Sequence, residues 1–138
     1  MNRKDLQTLS DLRVKEATAL FDQGLFDGAY YLLGYAMECA LKSCIARQFR
    51  QYDFPDKKLV LDSYTHELEK LLSVSGLKEK LETELKNNPA MEFNWGAVKD
   101  WSEKARYHYG KGKIESLDFY NAVTEEGTGI LSWLKNWW

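Results

Sequence analysis

Proline, cysteine and histidine each occur only twice in these 138 residues. So few prolines leave long stretches free to form helix, and the chain does not have the composition of a disordered or low-complexity linker. The cysteines, Cys39 and Cys44, lie five apart inside an apolar run. That spacing fits neither a zinc knuckle nor a redox Cys-x-x-Cys, and both are expected as reduced core thiols. Two histidines, His66 and His108, with no cysteine cluster beside them, do not make a structural zinc site. No metal and no cofactor is expected. One-sided charge is missing too: 19 Lys and Arg face 21 Asp and Glu, for a formal charge of −2. Such a chain does not coat nucleic acid by bulk charge, so any contact must come from a local patch. There is no apolar run of the roughly 18 to 20 residues needed to span a bilayer, and no apolar stretch after the charged N-terminus that would read as a secretion signal. The expected location is cytoplasmic, with no membrane partner.

What the sequence does have is helical periodicity. Hydrophobic residues make up 44% of the chain, enough for one domain over 1–138 with a real core. Leu9, Leu12, Ala17, Leu20 and Phe21 predict a first helix that stops at Gly24. From Phe26 to Ile45 the positions Phe26, Ala29, Tyr30, Leu33, Met37, Ala40, Leu41 and Cys44 form one wide stripe on a long, central helix. A second line, Tyr31, Tyr35, Glu38 and Lys42, runs along the same helix as non-core or interface positions. The two helices should form a hairpin. Asp53-Phe54-Pro55-Asp56 predicts a loop to about Tyr64. Thr65 then caps a helix with Leu68, Leu71 and Leu72, and Leu77, Leu81 and Leu85 mark another, ended by Asn87-Asn88-Pro89. Asn94 reads as the cap of a helix carrying Val98, Trp101 and Ala105 inward, fraying near Gly110 and Gly112. A last helix from about Glu115 to the final residue carries Leu117, Val123, Ile130, Leu131, Leu134 and Trp138, with a kink at Gly127 and Gly129. The expectation is an all-α, up-and-down bundle of about five helices.

Several of these segments carry a family pattern. Arg13-Val-Lys-Glu16-Ala17 and the block Gly24-Leu-Phe26-Asp27-Gly28-Ala29-Tyr30-Tyr31-Leu32-Leu33-Gly34-Tyr35-Ala36-Met37-Glu38-Cys39-Ala40-Leu41-Lys42 resemble the opening hairpin of HEPN domains. The resemblance continues through Thr65-His66-Glu67-Leu68-Glu69-Lys70-Leu71-Leu72 and Trp101-Ser102-Glu103-Lys104-Ala105-Arg106-Tyr107 to Trp133. It implies a helical bundle, a homodimer, and functions tied to RNA or nucleotides, often beside a nucleotidyltransferase partner in a toxin–antitoxin system. Many relatives of that kind are metal-independent ribonucleases that use an Arg and a His with four to six residues between them. This chain departs from that pattern. The same count from Arg106 reaches Lys111, Gly112 and Lys113. The implied function is therefore an RNA- or nucleotide-related binding or regulatory module. Its alternative is a ribonuclease toxin with a shifted pair, Arg106 and His108.

Phosphodiester cleavage needs a group that moves a proton and a cation that meets the developing charge, which suits His108 and Arg106. Two apart on a helix, they point to different faces unless the helix frays or a twofold brings His108 of one protomer to Arg106 of the other. The plainer alternative pairs Arg106 with a carboxylate and leaves His108 exposed at a helix end. Between Lys99 and Lys113 five cations face two acids, with Trp101, Tyr107 and Tyr109 among them. Lys99, Lys104, Arg106, Tyr107, Lys111 and Lys113 form the candidate RNA-binding set, because cations hold phosphates while rings stack on bases; a solvated helix face is the other reading. Glu38 should pair with Lys42 four residues on. For His66 a structural role is expected, with catalysis the alternative. Tyr31, Gly34, Tyr35 and Trp137 are candidate interface residues, Gly34 because glycine inside a helix costs about 1 kcal/mol and signals close packing or a dimer contact.

Overall fold

Asn2 fixes the start of the fold. Its side chain accepts a hydrogen bond from the Asp5 amide (3.0 Å), and the Asp5 carboxylate accepts one from the Asn2 amide (2.9 Å), a reciprocal capping box. From it α1 runs over Arg3–Asp22 and ends at Gly24, whose φ of +75° suits glycine. After three linking residues α2 covers Phe26–Ala46. The computed structural model describes all 138 residues and is helical, with no strand.

The α1–α2 hairpin is antiparallel and closely packed. Ser10, fully buried, donates to the carbonyl of Ala36 (2.8 Å), and one turn short of the bend Leu20 touches Gly28. Small residues at Ala17, Ala29, Ala36 and Ala40 let the axes approach. The large side chains of α2, Leu33, Met37 and Leu41, then point into the body of the protein and are wholly buried. Each such side chain contributes about 1.5–3 kcal/mol by leaving water. They meet Leu68, Leu71, Met91, Val98, Ile130 and Leu134 from the remaining helices. Helix α2 is central in the plain sense that α1, the helices over Leu68–Val74, Lys113–Thr124 and Ile130–Leu134, and a 3₁₀ turn all pack on it.

The remaining elements are shorter and more numerous than the sequence suggests. The stretch expected as a loop contains α3 (Lys57–Ser63), capped by the Asp56 carboxylate on the Leu59 amide (2.8 Å). Pro55 does not prevent this, because it lies outside the helix. α3 buries no residue fully, so it leaves almost no apolar rhythm to read. Thr65 does not cap a helix. Its hydroxyl accepts from the Glu67 amide (3.2 Å), and α4 (Leu68–Val74) starts after Glu67. α5 (Lys78–Asn87) is as expected.

Asn88 and Pro89, taken as a stop, are also a start. Asn88 caps the Met91 amide (3.2 Å), and Pro89 occupies the first position of α6 (Pro89–Val98), where its missing N–H costs nothing. Asn94 therefore sits inside that helix, buried, donating to the Thr128 carbonyl (2.9 Å). α6 ends at Val98, and Ser102 caps a separate 3₁₀ turn over Glu103–Tyr107. The expected last helix is broken rather than kinked, into α7 (Lys113–Thr124) and α8 (Ile130–Leu134), with Gly127 at φ +82° between them. Leu117 on α7 is 37% exposed and lies outside the core. Eight α-helices and one 3₁₀ turn replace the expected five.

Candidate functional site on the central helix

The line Tyr31, Tyr35, Glu38 and Lys42 runs up one face of α2, and three other segments converge on it. Glu38 is the unusual member. It is 5% exposed, yet carries a carboxylate, which burial makes costly unless it is paired. Two partners answer it. Lys42, one turn on, donates from Nζ to Oε1 (2.8 Å), and His66, from the segment before α4, places Nδ1 at 2.8 Å from Oε2. A carboxylate that accepts from Nδ1 fixes the imidazole ring and leaves Nε2 as the outward nitrogen; about half of the His66 side chain is exposed.

Next along the line, Tyr35 lies edge-on to the His66 ring (6.0 Å between centroids) and to Trp101 (5.1 Å), and Tyr31 lies edge-on to Tyr35 (5.0 Å). Burial, helped by the neighbouring Tyr31 hydroxyl and the Glu38 charge, pushes the Tyr35 phenol up to about 12, against the opposing charge of Arg106. Tyr35 therefore remains a protonated hydrogen-bond donor at any physiological pH. Trp101 is 3% exposed and lies against the bare backbone of Gly34, where a Cβ would overlap the indole. The close packing expected at Gly34 is thus an intramolecular contact. No dimer contact is needed to explain that glycine.

Arg106, on the 3₁₀ turn, completes the group. Its guanidinium is exposed, takes part in no ion pair, lies 4.9 Å from the Tyr107 ring centre and neighbours the Tyr31 hydroxyl. The expected carboxylate partner is not there. His108 follows in extended backbone (φ −104°, ψ 149°), exposed, with its amide donating to the Ala105 carbonyl (3.0 Å) and no side-chain hydrogen bond to Arg106. Thus Arg106 neighbours Tyr31 and Tyr35 of the α2 line, to which His66 is bonded through Glu38, while His108 stands in the segment leading away.

The candidate RNA-binding residues are not equally available. Lys104 and Lys113 are exposed and Lys99 is half-buried. Tyr107 and Tyr109 are 74% and 94% exposed. Lys111 is committed within the chain: its Nζ reaches Glu115 (2.9 Å) and lies 3.9 Å from the centre of the Tyr30 ring. Below it the Asp27 carboxylate accepts from the amides of Gly110 and Lys111, both at 2.9 Å, and these bonds hold its pKa below the ordinary value. Asp27 pins the loop that carries His108 and Tyr109. Trp137, a candidate interface residue, is half-buried against the core, with the Lys80 ammonium 3.9 Å from its ring centre. No three His, Cys, Asp or Glu side chains gather in a metal-binding group, and no helix is long and apolar enough to cross a membrane.

Sequence reasoning anticipates the Glu38–Lys42 pair, which is local, but misses its third member. Glu38 and His66 are 28 residues apart and belong to different elements. Nothing in residue spacing links them. No protein-family model, curated protein or solved structure matches the chain.

Proposed function

We propose that this chain is a HEPN-like helical module that binds RNA or a nucleotide through phosphate on the Arg106 face, lacks the Arg-x4-6-His dyad, and acts beside a nucleotidyltransferase-type partner as a homodimer. The dimer and the partner rest on the sequence resemblance. Binding rests on one observation: Arg106 has no acidic partner, is exposed, and stands over a face lined by the phenols of Tyr31 and Tyr35 and by His66. A planar guanidinium donates to two phosphate oxygens at once, phenols donate to a third, and exposed Tyr107 and Tyr109 offer rings for bases. Filter binding of labelled single-stranded RNA, measured over a salt series, tests this. Arg106→Gln should weaken binding at least tenfold and flatten the salt slope by about one. Equal binding by both proteins rejects the assignment.

A second reading, a metal-independent ribonuclease, gains support from the Glu38–His66 bond. A carboxylate-oriented imidazole can take the 2′-hydroxyl proton as that oxygen attacks phosphorus, return it to the departing 5′ oxygen, and leave Arg106 to meet the extra charge. Incubation with labelled RNA in EDTA separates the cases. Cleavage lost in His66→Ala and kept in His108→Ala selects His66. The reverse selects the shifted Arg106–His108 pair, and no cleavage by the parent leaves the binding module.

A further inference from the structure

The C-terminal ends of α2 and α8 and the turn between α4 and α5 line an open concavity of about 350 Å³. Its walls are Cys44, Arg47, Gln48, Leu77, Lys80 and Trp137, with the Ser75–Gly76 turn closing one side. The volume lies at the lower end of the range that small-ligand pockets occupy, about 300–1,000 Å³. Two cations line it and no acid does. Neither Arg47 nor Lys80 is in an ion pair anywhere in the chain.

Both cations are nevertheless held in place. Arg47 donates from Nη1 to the carbonyl of Trp137 (3.0 Å), and the Lys80 ammonium rests 3.9 Å from the centre of the Trp137 ring. Fixed by a carbonyl and a π face, each keeps its full charge and most of its donors for something else. Trp137 forms part of the wall itself, and its indole Nε1 is buried with no hydrogen-bond partner in the protein. The rest of the wall, Cys44, Leu77 and the indole, is apolar or aromatic.

We infer that this pocket binds a small phosphate monoester with an apolar or aromatic body, its phosphate between Arg47 and Lys80 and its body against Trp137 and Leu77. Phosphate is the anion that matches two cations, and the remaining volume with its aromatic wall selects an organic carrier over the free ion. This pocket shares no residue with the Arg106 face, so either assignment can fail alone.

Phenyl phosphate, inorganic phosphate and phenol, each titrated into ¹⁵N-labelled protein, supply the test, with the Trp137 indole resonance assigned through Trp137→Phe. Phenyl phosphate should shift that resonance saturably, bind at least tenfold more tightly than inorganic phosphate, and lose at least tenfold in affinity in Lys80→Gln and in Arg47→Gln. Both altered residues are exposed, and the unchanged far-ultraviolet circular dichroism of each variant establishes that it folds. Three results overturn the proposal: an indole resonance that phenyl phosphate does not move, phenol binding as tightly as phenyl phosphate, or Gln variants that bind like the parent.

Discussion

Trp101 fills the place where residue 34 has no side chain. The indole lies so close to the Gly34 backbone that a single added methyl group would overlap its five- and six-membered rings. This contact sets the position of the segment that leads to Arg106, because Trp101 precedes the 3₁₀ turn by only two residues. Glycine is thus kept in the middle of the longest helix for a packing reason, in spite of its low helix propensity.

Gly34→Ala should therefore destabilise the protein although alanine is the better helix former. The propensity gain of about 1 kcal/mol is outweighed by overpacking, which costs about 1–3 kcal/mol or more where a buried ring must move. A net loss of about 1–2 kcal/mol is expected in urea unfolding. Trimming the obstacle in Trp101→Leu should shrink the further cost of Gly34→Ala toward zero, a coupling that a double-mutant cycle measures. Additive effects of the two changes would refute the contact as the cause.

The Glu38 cluster predicts an order of effects. Glu38→Ala leaves a partly buried Lys42 without its acceptor and frees His66, so it should cost most, about 2–4 kcal/mol. Lys42→Ala leaves Glu38 one partner and should cost less. His66→Ala, with half its side chain already in water, should cost under about 1 kcal/mol. Denaturant midpoints of the three variants test the ranking, and a His66→Ala loss equal to that of Glu38→Ala would contradict it.

Asp27 gives a pH prediction with a definite sign. The Gly110 and Lys111 amides hold its folded pKa below the ordinary 3.8, so the carboxylate stabilises the loop above that value and the contribution disappears as pH falls through the lower, folded one. Amide exchange at Gly110 and Lys111 should stay protected at pH 5 and lose protection selectively in acid, before the α2 core opens. Asp27→Asn retains one acceptor oxygen. It should expose one of the two amides at pH 5 and abolish the acid step at both.

How far the sequence reveals all this depends on the range of the interaction. The α1–α2 hairpin is legible because Leu20, Leu33, Met37 and Leu41 repeat at helical intervals and Gly24 marks the turn. The Glu38–Lys42 pair is legible because it closes within one turn of helix. Asn88-Pro89 is ambiguous in principle: the same residues end one helix and cap the next, and only the packing of Met91 and Trp95 into the core decides that α6 begins there. α3 is nearly silent, since its apolar residues are at most half-buried. The proximity of His66 to Glu38, and of Arg106 to Tyr31, is a tertiary fact that no local spacing encodes. That is why His108, next to Arg106 in sequence, looks the better partner on paper, whereas in space His66 is the histidine bonded to the α2 line that Arg106 faces.

The cysteines supply the last prediction. Burial pushes the Cys44 thiol up to about 11, with Arg47 and Arg3 opposing only in part, and raises Cys39 as well. A thiol at about 11 is ionised in on the order of one molecule in three thousand at pH 7.5, and the thiolate is the reacting form. Cys44 is also 3% exposed, and its Sγ lies 3.9 Å from the Leu134 carbonyl. Reaction with a disulfide reagent at pH 7.5 should be biphasic, Cys39 first and Cys44 at least a hundredfold slower. Because Cys44 must wait for the packing of α8 on α2 to open, its rate should climb with sub-denaturing urea while that of Cys39 changes little. A single fast phase accounting for both thiols would mean that α8 does not cover Cys44 in solution.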